Sequence, residues 1–503
     1  VEKLSGKYIL GVDQGTTGTK AVIFDEKANQ ISLGYREIPR IHPKPGWVEQ
    51  DPKLIWSATM EAIDEAFKKA KINPIDISAI GIADQGETVI IWDKTTGEPI
   101  YNAIVWQCRR TAKICEELKK NEFSKEVERR TGLTIDPYFS ATKIKWILEN
   151  VPGALKKAEG GKLLFGTTDS WLIWKLTNGE THVTDYATAS RTMLLNIHSL
   201  KWDEEILDWL NIPIEVLPKL KSNSEIVAET NPKVFFNIKK PISGVIVDQQ
   251  GALFGQCCFN PGMIKNTYGT GCFMLMNTGE KPVFSKHGLL TTIAWVINNK
   301  ASYALDGGIY IAGAAIQWLR DGLKIIKDAK ETEEIANSIP DTGGVYFVPA
   351  FVGLAAPYWD MYARGIIIGI TEGTKVNHIV RATLESIAYQ VYDVLECMKA
   401  DSKLELNVLR VDGGAVNNSF LMQFQSDILG IPIEIPEITE TTALGAAFLA
   451  GLSTGFWKNL KDLEEKRRVK KVYTPKMDEE KRIKLIQKWK KAVQRAMKWS
   501  EEE

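Results

Sequence analysis

Three short segments of this chain place glycine and hydroxyl residues where phosphate could be held. Asp13-Gln14-Gly15-Thr16-Thr17-Gly18-Thr19 follows an apolar run at 8–12. Glycine lets backbone N–H groups approach an anion, and threonine hydroxyls add donors. An acid at a strand end can hold Mg²⁺ through water. Gly269-Thr270-Gly271 repeats the arrangement, and two such turns facing one cleft could grip a nucleoside triphosphate from both sides. Asp412-Gly413-Gly414 stands between a strand-like and a helix-like run, where a flat base and its ribose could lie on bare backbone. Each segment would also serve as a plain turn: a hairpin for the first two, a tight strand-to-helix connection for the third.

A second group could handle a hydroxyl compound. Asp248-Gln249-Gln250 follows the apolar residues Val245, Ile246 and Val247. A carboxylate at a strand's end suits a general base that takes a hydroxyl proton, and it equally suits a helix N-cap. Gln85-Gly86-Glu87, Trp106 and Tyr138 fall near the ends of expected elements. An acid that accepts O–H bonds, with rings that cover C–H faces, is what a small polyol requires. The five histidines (42, 182, 198, 287, 378) show no metal spacing and receive no catalytic role. Trp146, Trp171, Trp174, Trp318 and Trp359 read as core or interface residues.

The elements that must position these residues alternate in type. Helical periodicity runs over 52–71, 111–130, 141–150, 313–323 and 379–399, and a further helix begins near Asn418. Strand-like runs cover 77–83, 88–92 and 408–411. This mixture predicts an α/β protein. The hairpin-like stretches at 8–25 and 263–277 lie about 250 residues apart in a chain twice that length, which predicts two halves of similar architecture. The division falls near 252, giving domains 1–252 and 253–503. The charged tail from Asp478 reads as an amphipathic terminal helix.

Composition narrows the function classes. Lys plus Arg is 63 and Asp plus Glu is 63, so nothing favours nucleic acid or an anionic membrane as partner. With 44% hydrophobic and 25% charged residues, extensive disorder is excluded. The six cysteines include no C-x-x-C spacing, which points to neither a disulfide framework nor a zinc site and suits a reducing cytoplasm. No apolar run reaches membrane-spanning length, and residues 1–7 lack the apolar stretch of a signal peptide.

Five motifs then carry a resemblance. They are Asp13-Gln14-Gly15-Thr16-Thr17, Trp106-Gln107-Cys108-Arg109-Arg110-Thr111, Asp136-Pro137-Tyr138-Phe139-Ser140, Tyr268-Gly269-Thr270-Gly271-Cys272-Phe273 and Gly353-Leu354-Ala355-Ala356-Pro357-Tyr358-Trp359. From about residue 8 to 455 the chain resembles the FGGY carbohydrate kinases, above all those that phosphorylate glycerol. The resemblance implies two actin-like (ribonuclease-H-like) ATPase domains flanking a deep cleft, with the polyol mainly on the N-terminal half and ATP mainly on the C-terminal half. It implies Asp248 as general base and Gln249 beside it as a substrate contact. Glu87, Trp106, Tyr138, Asp248 and Phe273 would surround the polyol, with Gly86 at its edge. Thr16, Thr17, Gly18, Lys20 and Thr270 would meet phosphates, Lys20 standing where the family often has arginine. Gly313, Gln317, Gly414 and Asn418 would line the nucleoside, and Asp13 would organise Mg²⁺. A homodimer, with a small-molecule polyol as the only other partner, is also implied.

The departures from the family pattern cluster on the substrate side. Glycerol-phosphorylating members usually have Gln-Arg-Glu-Thr where this chain has Gln85-Gly86-Glu87-Thr88. A charged hydrogen bond is worth roughly 1.5–3 kcal/mol, so losing that arginine would weaken glycerol binding ten-fold or more. Glycine would also leave space for a longer polyol. Asp84 stands for a usual asparagine, Val247 for a usual glycine and Gly251 for a usual alanine. Either another residue supplies the missing contact, or the substrate is a different polyol or ketose. The retained Trp106, Tyr138 and Phe273 favour glycerol.

Overall fold

The computed structural model describes residues 7–500, so all but the last residue of the 1–7 segment lies outside the described residues. Two sheets organise the chain. The first has six strands: β1 (Tyr8–Gln14), β2 (Gly18–Asp25), β3 (Gln30–Glu37), β4 (Ile77–Asp84), β5 (Ser224–Glu229) and β6 (Pro241–Val247), in the order β5-β6-β4-β1-β2-β3. The second has seven: β7 (Ile264–Tyr268), β8 (Cys272–Gly279), β9 (Leu290–Ile297), β10 (Lys300–Ile309), β11 (Leu409–Gly413), β12 (Ile433–Pro436) and β13 (Val469–Tyr473), in the order β9-β10-β8-β7-β11-β12-β13. The central strands β4 and β6 are buried along their whole length. That burial is why they read as continuous apolar runs rather than alternating ones.

The sheets repeat one plan. In the first, β1 pairs antiparallel with β2 and parallel with β4, which pairs parallel with β6, and β5 closes antiparallel. In the second, β7 pairs antiparallel with β8 and parallel with β11, which pairs parallel with β12, and β13 closes antiparallel. The two glycine-threonine turns therefore occupy equivalent places, as the hairpin repeat predicts. One helical reading divides: 111–130 forms two helices, Ala112–Lys119 and Phe123–Thr131. Asn121 breaks them, its Oδ1 accepting from Phe123 N at 2.9 Å in an Asx turn. Trp359 is half exposed rather than core. No helix among the described residues is long and apolar enough to cross a membrane.

The two halves meet through a pair of helices in equivalent positions. With α1 (Pro52–Ala70) packed on the first sheet, α2 (Asp248–Gly255) follows β6, and α3 (Gly313–Asp321) begins beside the second turn. A later helix, α4 (Thr441–Ser453), follows β12. Helices α2 and α4 cross at glycines. A Cβ at Gly445 would collide with the Gly251 carbonyl, and one at Gly255 with the Thr441 carbonyl. The same α4, apolar nearly all round and buried, as such a helix must be, lies directly on the first sheet. There Gly11, Gly81 and Gly244 leave no room for a Cβ beneath the carbonyls of Ala443 and Ala446. A helix from the second half thus rests on the strands of the first.

In an ordinary helix interior, glycine to alanine gains about 1 kcal/mol. At Gly445 the sign should reverse. Gly445→Ala is expected to lose about 1–3 kcal/mol, the range for overpacking a tight core. Urea unfolding checks this, and a variant as stable as the parent would show that the helix crossing tolerates separation.

Candidate active site

The first turn joins β1 to β2, with Asp13 opposite Lys20 in the hairpin register. Burial pushes the Asp13 carboxyl up to about 6, with Glu440 adding to the rise and Lys20 opposing it. Lys20 Nζ donates to Glu440 Oε2 at 2.7 Å, so its charge is already matched by the residue that leads into α4. Thr16 Oγ1 accepts from Trp106 Nε1 at 2.7 Å, and the Thr16 carbonyl accepts from Gln50 Nε2 at 2.7 Å. Thr17 is exposed. Gly18 is glycine because β3 lies against it: a Cβ there would strike the Arg36 carbonyl and the Tyr35 ring. One buried carboxylate fits Mg²⁺, which keeps several waters and binds mostly through phosphate oxygens. Among the described residues no cluster of three acidic, histidine or cysteine side chains offers a protein cage.

The second turn, Gly269-Thr270-Gly271, packs on the start of α3. Gly313 N donates to Gly269 O at 3.1 Å, and Ala312 N and Ala314 N donate to Thr270 O at 2.9 and 3.0 Å. A Cβ at Gly313 would stand 2.6 Å from the Gly269 carbonyl, so glycine is needed for this junction. Thr270 and Gln317 are exposed. At the third segment, Gly413 has φ +92° and Gly414 faces open space. Asp412 accepts from Thr267 Oγ1 at 2.6 Å, Thr441 Oγ1 at 2.8 Å and Gln256 Nε2 at 3.0 Å, which ties the second sheet to both crossing helices. Asn418 caps the next helix, its Oδ1 accepting from Leu421 N at 2.9 Å, and its amide donates to Thr332 Oγ1 at 3.1 Å.

The hydroxyl-handling residues converge. Asp248 opens α2, and burial pushes its carboxyl up to about 7, helped by the charges of Glu87 and Asp13. Its Oδ1 accepts from Gln249 N at 2.7 Å. Val247, not Asp248, holds the N-cap position, and Asp248 lies in the first turn, where a negative charge is favoured. The Gln249 side chain accepts from Lys265 Nζ. Lys265 also donates to Thr267 Oγ1 and to the Phe273 carbonyl, both at 3.1 Å. Burial lowers the Lys265 pKa, while Asp412, Asp248 and Asp306 oppose that. Trp106 and Tyr138 meet edge to face, centroids 5.5 Å apart. Tyr138 is pushed up by burial and by Glu87, with Asp306 and Asp248 adding. Glu87, Tyr138 and Asp248 thus share one electrostatic neighbourhood, which Trp106 links to the first turn.

Sequence reasoning missed three members of this group. Arg191 is 3% exposed. Its Nε donates to Glu87 Oε1 at 2.7 Å, and its Nη2 pairs with Asp306 Oδ2 at 3.0 Å. Burial works against its charge, but Asp306 and Glu87 outweigh that and raise its pKa. The signal for Arg191 was present: it is the only charge in the small and apolar run 187–195. Lys265 stands likewise alone in a strand. Asp306 gave no such signal.

At the Cβ position of residue 86 the space is already taken. A Cβ there would lie 2.6 Å from Val247 Cγ2 and 3.5 Å from Thr188 Cγ2. The two departures, Gly86 and Val247, are one steric pair. Asp84 accepts from Asp169 N at 3.2 Å and from Thr188 Oγ1 at 3.2 Å. Burial, with Asp169 and Asp185 nearby, pushes its carboxyl well up, so Asp84 acts as a buried structural acid.

Gly86→Ala is expected to cost about 1–3 kcal/mol by overpacking. Adding Val247→Ala should recover most of that loss, a non-additivity typical of touching residues. Urea unfolding of the two single variants and the double variant checks it; additive losses would mean that the pair does not share the space.

Residues 8–255 match the N-terminal domain of the FGGY family of carbohydrate kinases, and residues 264–454 match its C-terminal domain. Glycerol kinase from Caldanaerobacter subterraneus subsp. tengcongensis is 60% identical over 496 residues, covering 99% of this chain and 100% of that protein. Glycerol kinase 2 from Thermotoga maritima is 60% identical over 493 residues, covering 98% and 99%. The crystal structure of Plasmodium falciparum glycerol kinase with ADP superimposes with a TM-score of 0.93 at 41% identity, covering 97% of this chain and 98% of that one. With both family domains matched in order along most of its length, this chain belongs to the FGGY family of carbohydrate kinases.

Proposed function

We propose that this chain transfers the γ-phosphoryl group of ATP to a primary hydroxyl of glycerol, yielding sn-glycerol 3-phosphate. The observation that carries the reading is the Asp248 carboxyl at the head of α2, raised to about 7 and set beside Glu87, Trp106 and Tyr138. The full-length likeness to proteins named glycerol kinase supports the choice of polyol. A base with that pKa is matched to a hydroxyl near neutral pH. Val247 fills the Cβ position of residue 86, so Gly86 itself offers a longer polyol no added room at that point.

The steps assign themselves to residues. Glu87 accepts from a polyol hydroxyl while Trp106, Tyr138 and Phe273 cover carbon faces. Gln249, held by Lys265, supports the hydroxyl beside Asp248. Asp248 orients the attacking hydroxyl and takes its proton as oxygen bonds to phosphorus in line with the departing ADP. Thr16, Thr17, the Gly18 backbone and Thr270 receive the phosphates. Lys20 reaches them by exchanging Glu440 for phosphate. Gly313, Gln317, Gly414 and Asn418 form the nucleoside surface. Asp13 would hold Mg²⁺, which offsets phosphate charge. Closure of residues 1–252 toward 253–503 excludes water and limits ATP hydrolysis. This reading makes the chain a homodimeric enzyme of a reducing cytoplasm, which sedimentation checks for the dimer.

ADP release measured against glycerol, dihydroxyacetone, erythritol, pentitols and ketopentoses tests the substrate. The highest kcat/KM should fall to glycerol, and a preference for a longer polyol would change the acceptor. Asp248→Asn should abolish turnover while nucleotide binding, followed by calorimetry, persists; near-normal turnover would remove Asp248 as the base. In the parent, kcat/KM for glycerol should fall as pH drops below about 7, because protonated Asp248 cannot accept a proton. The stability effect has the opposite sense. A carboxyl whose folded pKa is raised binds more protons folded than unfolded between about 4 and 7, so its contribution to stability falls as pH rises through that window. Asp248→Asn should therefore be at least as stable as the parent at pH 8.

A further inference from the structure

Two cations face the polyol side of the site, and their donors can be counted. Lys265 has three N–H donors, and all three have acceptors: Gln249 Oε1, Thr267 Oγ1 and the Phe273 carbonyl. Arg191 differs. Its Nε is bonded to Glu87 and its Nη2 to Asp306, but its Nη1 is buried and bonded to nothing. A buried donor on a charged group without a partner costs several kcal/mol in general. Others occur in this fold, among them Trp92 Nε1 and Arg467 Nε, but Arg191 is the one bonded to Glu87 and beside Tyr138, where a ligand could supply the acceptor.

The surroundings say which ligand. The guanidinium carbon lies 5.7 Å from the Tyr138 ring centre and 5.4 Å from that of Phe139. Asp306 sits on β10 opposite Leu275 of β8, two residues along from Phe273. Glu87 and Asp306 clamp the guanidinium from opposite halves of the chain and fix its plane. Position 86 cannot contribute a donor, because Val247 occupies that space. Every acidic neighbour here accepts and none donates when ionised, so the hydroxyl oxygens of a polyol need donors, and of the two cations only Arg191 has an N–H without an acceptor.

We propose that Arg191 Nη1 donates a hydrogen bond to a hydroxyl of the bound polyol other than the one phosphorylated, making Arg191 a substrate-positioning and specificity-determining residue. This deepens the kinase reading above and rests on it. Arg191 then spans the substrate, Glu87 and Asp306, joining both halves of the chain once the polyol is bound.

The test compares the parent enzyme with Arg191→Lys, using glycerol and two diols that each lack one hydroxyl, propane-1,2-diol and propane-1,3-diol, as substrates or competitive inhibitors. Glycerol turnover by the parent is the check on the kinase reading itself, and its absence would sink that reading rather than this one. Given turnover, Arg191→Lys should raise the glycerol KM by about 10- to 100-fold, the value of one charge-assisted hydrogen bond. Its kcat should stay within a few-fold, with ATP KM unchanged. For the diol lacking the bonded hydroxyl, parent and variant should agree within about three-fold, because the two losses then remove the same contact. An equal loss for glycerol and both diols, or no change in glycerol KM, overturns the proposal. Should Arg191→Lys not fold, Asp306→Asn keeps the guanidinium but loosens its seat. A rise in glycerol KM that vanishes with one diol supports the proposal, and an equal rise for all three ligands overturns it.

Discussion

Everything in this molecule depends on how closely two helices can approach each other and the sheet beneath them. Helix α2 leaves β6 with Asp248 in its first turn, and α4 crosses it where Gly251, Gly255 and Gly445 expose backbone. The same α4 lies on Gly11, Gly81 and Gly244 of the first sheet. With side chains at these positions the helices would be held apart, and Asp248 would move relative to the turn that carries Asp13. Asp248, Asp13 and the two glycine-threonine turns therefore inherit their spacing from a set of missing Cβ atoms. Interiors are close-packed, so that spacing is held as firmly as the glycines are retained.

On this frame the site is built from opposed charges in a dry place. Burial raises Asp13 and Asp248, which brings the Asp248 carboxyl to about neutrality. Left alone, such a cluster of acids would repel itself. Arg191, between Glu87 and Asp306, and Lys265, beside Gln249, supply the balance. Breaking one partner from a buried pair strands the other charge, which is why such clusters are costly to alter piecemeal. Lys20 and Glu440 form an equally short but more exposed pair at the edge.

The substitutions on the polyol side show how a family site can change without losing its shape. Glycine at 86 and valine at 247 look like two separate departures in the chain. In space they are one exchange of volume, since the valine methyl sits where a residue-86 side chain would begin.

Much of this was legible along the chain. The two glycine-threonine turns announced a repeated hairpin, and the sheets repeat strand order and direction around them. Asp248 at the end of an apolar run, with Trp106 and Tyr138, was readable because residue type and local context carry the signal. Helix periodicity located the helices at 52–70, 140–150, 313–321, 376–402, 419–429 and 479–496, joined two that Asn121 separates, and passed over α4, which is apolar nearly all round and shows no face. Position along the chain could not say that Asn418 spends its side chain on a helix cap, or that Gly18 and Gly313 are glycines because neighbouring backbone presses on them. Nor could it pair Gly86 with Val247, or Arg191 with both Glu87 and Asp306. Local chemistry is set by residues near in sequence, so the sequence by itself determined the family, the fold class and which residue types stand at the ends of the strands. Packing and charge balance are set by residues far apart in sequence and close in space, so only the tertiary structure decided which volumes are filled, which charges are matched and which buried donors, Arg191 Nη1 among them, are left without a partner.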